Sequence, residues 1–110
     1  MNEKFINSIQ WNEKGLLPCI TQQYLTNEIL MMAWVNKESL NLTIKTKYAH
    51  YFSRSRQKIW KKGESSGNFQ YVKKIKLDCD FDTLLLVVNQ KNGIACHTGA
   101  SNCFFNEIII

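Results

Sequence analysis

The sequence predicts an α+β fold: a strand-rich sheet, antiparallel or mixed, with one main helix. Three observations lead there. Short apolar runs recur along the chain, the turns between them are brief, and only the segment after Asn36 shows the i, i+4 apolar spacing of an amphipathic helix. At 110 residues and 12.8 kDa the chain reads as one domain, residues 1–110. Area scaling gives roughly 6,300 Å² exposed when folded, with about two-thirds of the unfolded surface buried, enough for one hydrophobic core.

Taken in order, Leu16 to Gln23 and Glu28 to Val35 are apolar runs separated by Leu25-Thr26-Asn27, which predicts a hairpin. Asn36 is placed to cap a helix from about Lys37 to Lys47, with Leu40, Ile44 and Tyr48 on its buried side. Ala49 to Arg54 returns to strand composition. Phe69, Tyr71, Ile75 and Leu77 then sit at odd positions among mostly polar even ones, a period of two that predicts a half-buried strand running to about Asp78. Thr83 to Gln90 is apolar without alternation, as in a central strand buried on both faces. Asn92-Gly93 signals a turn, after which Ile94 to Cys96 and Phe104 to Ile110 are expected to pair as short strands.

Charge is unevenly placed. Between Lys45 and Lys76 there are ten Lys or Arg and one acid, Glu64; the rest of the chain holds four Lys and eight acids. A concentrated positive region implies an anionic partner. Ser53-Arg54-Ser55-Arg56 and Lys61-Lys62-Gly63-Glu64-Ser65-Ser66-Gly67 interleave cations with hydroxyls and glycines, which is what phosphate binding needs. No Walker pattern and no Gly-x-Gly-x-x-Gly is present, so neither familiar nucleotide fold is supported. The longest uninterrupted apolar run, Ile29 to Val35, is seven residues, far short of a membrane span. The N-terminus has no apolar signal region, so a cytoplasmic protein with no membrane partner is expected.

The four cysteines, with no secretion signal, favour metal or catalytic use over disulfides. Cys19 lies inside an apolar strand and reads as a small buried hydrophobe. Cys96-His97-Thr98-Gly99 with Cys103 offers two thiols and an imidazole in eight residues, and Cys79 adds a third thiol. Thiolates suit Zn²⁺, and three protein ligands with a fourth position left to water is the catalytic arrangement. His97 is either a fourth ligand or a general base. Asp78, Asp80 and Asp82, at i, i+2 and i+4, share one face of an extended strand, with Cys79 and Phe81 on the other. Closely packed carboxylates suit a hard ion such as Mg²⁺. An EF-hand loop fails, because Thr83 and Asn89 stand where Gly and Glu are needed.

Together these motifs resemble the phosphoribosyl-AMP cyclohydrolases of histidine biosynthesis. The resemblance rests on Gly15 to Ile20, Glu28 to Asn36, Ala49 to Arg56, Trp60 to Gly67, Asp78 to Asp82, Ala95 to Gly99 and Cys103 to Phe105, in order over nearly the whole chain. Trp34 stands where Tyr or Phe is common in that family, and Asn102 where Ser or Thr usually precedes the last cysteine. The resemblance implies a pseudobarrel-like sheet, zinc on Cys79, Cys96 and Cys103, magnesium on Asp78, Asp80 and Asp82, and a homodimer with a zinc site built from both subunits. It implies hydrolysis of the adenine ring of a phosphorylated nucleotide by zinc-activated water, with His97 moving a proton. Arg54, Arg56, Lys61, Lys62, Ser65, Ser66 and Gly67 would then bind phosphate. The chain ends at Ile110, from which no second, pyrophosphate-removing domain is expected. Two alternatives are another zinc hydrolase of a purine nucleotide and a nucleic-acid module stacking bases on Tyr48, Tyr51, Phe52 and Trp60; the resemblance argues against a nucleic-acid partner.

Overall fold

A computed structural model describes residues 3–110. Its elements are α1 (Glu3–Asn7), β1 (Leu17–Gln23), β2 (Ile29–Val35), α2 (Lys37–Thr46), β3 (His50–Ser53), β4 (Lys58–Lys61), β5 (Gln70–Leu77), β6 (Leu84–Gln90) and a 3₁₀ turn (Lys91–Gly93). The strands form one mixed sheet in the order β4-β3-β2-β1-β6-β5, in which β1 and β6 are parallel and every other pair is antiparallel. The sheet curls strongly, because the stretch just before β3 also reaches β5. Ala49 N–H donates to Gln70 O, Val72 N–H donates to Lys47 O, and Tyr48 bridges Tyr71. The expected α+β pseudobarrel with one main helix is therefore what the chain forms. Among the described residues no helix is long and apolar enough to cross a membrane.

The predicted helix is α2, and its cap is the one expected. Asn36 Oδ1 accepts from the Ser39 N–H at 2.8 Å while Ser39 Oγ accepts from the Asn36 N–H at 3.0 Å, a reciprocal capping box. Lys47 ends it in the left-handed conformation, φ 69°. Tyr48 consequently lies beyond the helix and is partly exposed, not on its buried face.

The interior joins Leu17 and Cys19 of β1, Met31 and Val35 of β2, Leu40 of α2, Tyr51 of β3, and Leu84, Leu86 and Val88 of β6. β6 is covered on both faces only at its middle: Val87 is buried, but Asn89 is exposed. A polar chain crosses this core. Thr21 Oγ1 and Tyr51 Oη lie 2.7 Å apart, and Tyr51 O–H donates to Gln70 Oε1 at 2.5 Å. Gln70 Nε2 then donates to Gln90 Oε1 at 2.9 Å. All four side chains are buried. The chain costs little because every member has a partner.

Several expectations are corrected. β5 shifts register between Val72 and Lys74, and the bulge reverses which residues face inward. Gln70 and Val72 are buried before it, while Ile75 and Leu77 pack on the core after it; Tyr71 is left largely exposed. β4 has no counterpart among the expected elements. Ile94 to Cys96 and Phe104 to Ile110 are not strands; Cys96 N–H instead closes a local turn on Ala100 O, and Cys103 N–H reaches Leu30 O. Asp78 to Asp82 form a turn between β5 and β6 rather than extended strand: Phe81 N–H donates to Asp78 O, and Phe81 has φ 65°.

Candidate active site

A cleft of about 370 Å³ opens beside the end of β6. One wall carries Arg56, Lys61, Lys62, Ser65 and Ser66; the other carries Ile94, Cys96 and His97. The cation- and hydroxyl-rich turn thus faces the thiol–imidazole loop, although more than thirty residues separate Lys61 from Cys96 in sequence. Antiparallel β3 and β4 deliver the first wall, with Lys62 N–H held by Ala49 O. The 3₁₀ turn after β6 delivers the second.

Not every predicted phosphate ligand lies there. Arg54 packs its guanidinium 4.6 Å from the Trp34 ring centre and lines other cavities, beside Phe52. Gly67 N–H donates to Gly63 O at 2.8 Å, so this residue closes the turn. Lys62 points toward the thiols: its ammonium donates to Ala95 O at 2.5 Å, next to Cys96. Burial holds it below the ordinary lysine range, and the adjacent Cys103 and Cys96 offset that in part. Tyr51 is fully buried, so it is closed to base stacking.

The Cys96 and Cys103 thiols lie near enough to shift each other's acidity. The Thr98 hydroxyl donates to Cys96 Sγ at 3.1 Å, and chiefly this bond, with the Thr98 backbone, holds the Cys96 thiol below its usual range. Burial, then the neighbouring Cys96, pushes Cys103 up. His97 Nδ1 lies 4.0 Å from Cys96 Sγ. The loop is anchored just before β2 through Glu28, whose Oε2 accepts from Asn102 Nδ2 at 2.7 Å and from Ser101 O–H at 3.1 Å.

Cys79 is not with them. It sits exposed on the turn before β6, whereas Cys96 and Cys103 follow the other end of that strand. Seven residues of strand place the two ends about 20 Å apart. The same turn gathers Asp78, Asp80 and Asp82, with one carboxylate oxygen of each within 4.8 Å of the others. Desolvation acts to raise the Asp78 carboxyl, but bonds from the Asp82 and Thr83 N–H groups, at 3.0 and 3.2 Å, help bring it below its ordinary value. The hydrogen bond with Asp80, then desolvation and the bond and charge of Asp78, push Asp82 up. Such a cluster is completed by a proton or a hard cation.

Cys19 has the opposite character. Burial pushes its thiol up to about 12. At pH 8 that leaves about one part in ten thousand as the reactive thiolate. In metal-free native protein, iodoacetamide is expected to modify the exposed Cys79 and to spare Cys19 until the chain unfolds. Peptide mass spectrometry reads this directly, and labelling of Cys19 at the rate of Cys79 would contradict its burial.

The sequence reading did not single out Asn68, which lines the cleft between the two walls. A lone Asn after a Ser/Gly-rich turn gives no signal of its own.

Comparison with known proteins gives a concordant result. A family model described as phosphoribosyl-AMP cyclohydrolase matches residues 31–105. A histidine biosynthesis bifunctional protein of Prochlorococcus marinus is 56% identical over 98% of this chain, which spans 48% of that protein. Proteins named phosphoribosyl-AMP cyclohydrolase from Nitrosospira multiformis and Thioalkalivibrio sulfidiphilus are 53% and 55% identical over 98% and 97% of the chain, covering 83% and 82% of their own lengths. The chain therefore spans about half of the bifunctional relative and most of the other two.

Proposed function

This chain belongs to the phosphoribosyl-AMP cyclohydrolase family, and from that premise we propose that it hydrolyses the N1–C6 bond of the adenine ring of 1-(5-phosphoribosyl)-AMP in histidine biosynthesis. The product is the ring-opened formimino-imidazole carboxamide ribotide. The observation that carries this reading is the cleft itself, where a phosphate-binding type of turn faces the Cys96 thiol and the His97 imidazole.

In the reaction, Arg56, Lys61, Ser65 and Ser66 hold phosphate oxygens through charge-assisted bonds and so place the purine against the opposite wall. Water adds to C6, and the N1–C6 bond then breaks; N1, substituted by phosphoribose, leaves the ring electron-poor and C6 open to attack. His97 moves a proton at that centre.

The donor set fits two metals. Cys96 and Cys103 are paired soft ligands, and Cys79 is the third, supplied by a second copy because it lies at the far end of β6 in its own chain. Zinc held there supplies the Lewis acidity that activates water near neutral pH. The Asp78, Asp80 and Asp82 cluster fits magnesium. A homodimer is also supported by surface. The accessible area, 7152 Å², exceeds the roughly 6,300 Å² expected of a compact monomer. Phe104, Phe105 and Ile108 to Ile110 stand exposed.

Ultraviolet absorbance tests the reading. With Zn²⁺ and Mg²⁺ present, phosphoribosyl-AMP is expected to lose its adenine spectrum and acquire that of the imidazole carboxamide, and a chelator is expected to stop the change. A flat trace from folded, zinc-loaded protein would overturn the assignment.

A further inference from the structure

We propose that Asn68, clamped by Gln90 and Asn92, is a positioning residue that sets the spacing of the two cleft walls. The proposal rests on the functional reading above and goes beyond it, because neither Gln90 nor Asn92 lines the cleft. Asn68 has three bonds leading in three directions. Its N–H donates to Ser66 Oγ at 3.1 Å, its backbone O accepts from Gln90 Nε2 at 2.9 Å, and its side-chain Oδ1 accepts from Asn92 Nδ2 at 2.9 Å.

Each bond reaches a different part of the molecule. Ser66 belongs to the cation-and-hydroxyl wall. By accepting from Asn68, the Ser66 hydroxyl keeps its proton to donate to an anionic ligand. Asn92 belongs to the 3₁₀ turn that leads into the loop of Cys96 and His97. Gln90 is the last member of the polar chain through the core, and it also donates to Phe69 O at 3.2 Å. Gln90 Oε1 is taken by Gln70, whose own Oε1 is taken by Tyr51, so the amide orientations are set from inside the barrel outward. One side chain and its backbone thus join the two walls to each other and to the rigid core. Holding a phosphate on one wall at a fixed distance from the reacting atoms on the other requires such a joint.

The test removes the joint from its outer side. Asn92 has φ 63° and is exposed, so Asn92→Gly deletes the amide without backbone strain and leaves every cleft-lining side chain in place. Asn68→Ala breaks the same bond from the other end. Each variant is expected to raise KM for phosphoribosyl-AMP about tenfold, as loss of one well-placed hydrogen bond does, with kcat changed less than KM and zinc content unchanged. The double variant is expected to be no worse than Asn68→Ala alone, since both substitutions remove one interaction. Fully additive losses, or a KM equal to wild type in Asn92→Gly, would overturn the proposal. Wild-type turnover, measured first, separates failure of the functional reading from failure of this one. If the wild type were inactive, calorimetric affinity for adenosine monophosphate takes the place of KM, and unchanged or absent affinity counts against the joint.

Discussion

Mixing a Cys79→Ser protein with a Cys103→Ser protein is expected to restore activity that neither possesses alone. The reason is topological. In one chain Cys79 sits on the turn before β6 and Cys96 and Cys103 lie in the loop after its other end, and the three thiols do not gather in one place. A three-thiolate zinc site therefore needs Cys79 from one copy and Cys96 with Cys103 from another. Each variant homodimer then has two sites lacking a ligand. In a mixed dimer both lesions fall in one site, and the other has all three thiols. Random exchange makes half the dimers mixed, so about a quarter of wild-type activity returns, with one zinc per mixed dimer. Native mass spectrometry reports the exchange and the metal count, while the absorbance assay reports turnover. Complete exchange without recovered activity would show that the site is not shared in this way. Activity near wild type in either single variant would remove that cysteine from the site.

Local chemistry made most of this architecture legible. Asn36 can cap and Lys37 to Thr46 can bury one face, so α2 was readable from its own residues. The β1–β2 hairpin was readable for the same reason, with Leu25 and Asn27 taking up the positive φ of the turn. What escaped depended on contacts distant in sequence. The bulge in β5 reverses its inward face, so a strict period of two placed Tyr71 inside and missed Gln70, whose burial depends on Tyr51 and Gln90. Lys58–Lys61 is only four residues and half lysine, and it is a strand because β3 pairs with it. The three aspartates do lie together, but a turn with a left-handed Phe81, not alternation along a strand, brings them there. In the cleft, residue types pointed to phosphate for Arg54 and Lys62 alike. Trp34 draws one away, and the Ala95 carbonyl draws the other to the thiols, and neither contact leaves a mark in the local sequence.

The turn that builds the cleft depends on one glycine more than on any of its charged residues. A Cβ on Gly63 would meet Phe69 N at 2.5 Å, Asn68 C at 2.6 Å and Asn68 O at 2.8 Å, all backbone atoms, and the residue has φ +88°. Flexible side chains can yield to an added methyl group. This segment cannot yield easily, because Gln90 holds the Asn68 and Phe69 carbonyls from inside the core. Gly63→Ala is therefore expected to combine a left-handed backbone penalty with forced displacement of Asn68, about 3 kcal/mol in total. For a domain of this size that lowers Tm by roughly 10–15 °C. Gly67→Ala is the internal control. Gly67 has a similar φ, +80°, but nothing lies within 4 Å of its would-be Cβ, so only the backbone term remains, about 1 kcal/mol. Thermal unfolding of the two variants side by side separates close packing from conformational preference. Equal losses would mean that the turn slides past Asn68 without resistance. A much larger loss at Gly63, with a raised KM in the protein that remains folded at low temperature, is the result expected of a turn packed directly on the joint between the cleft walls.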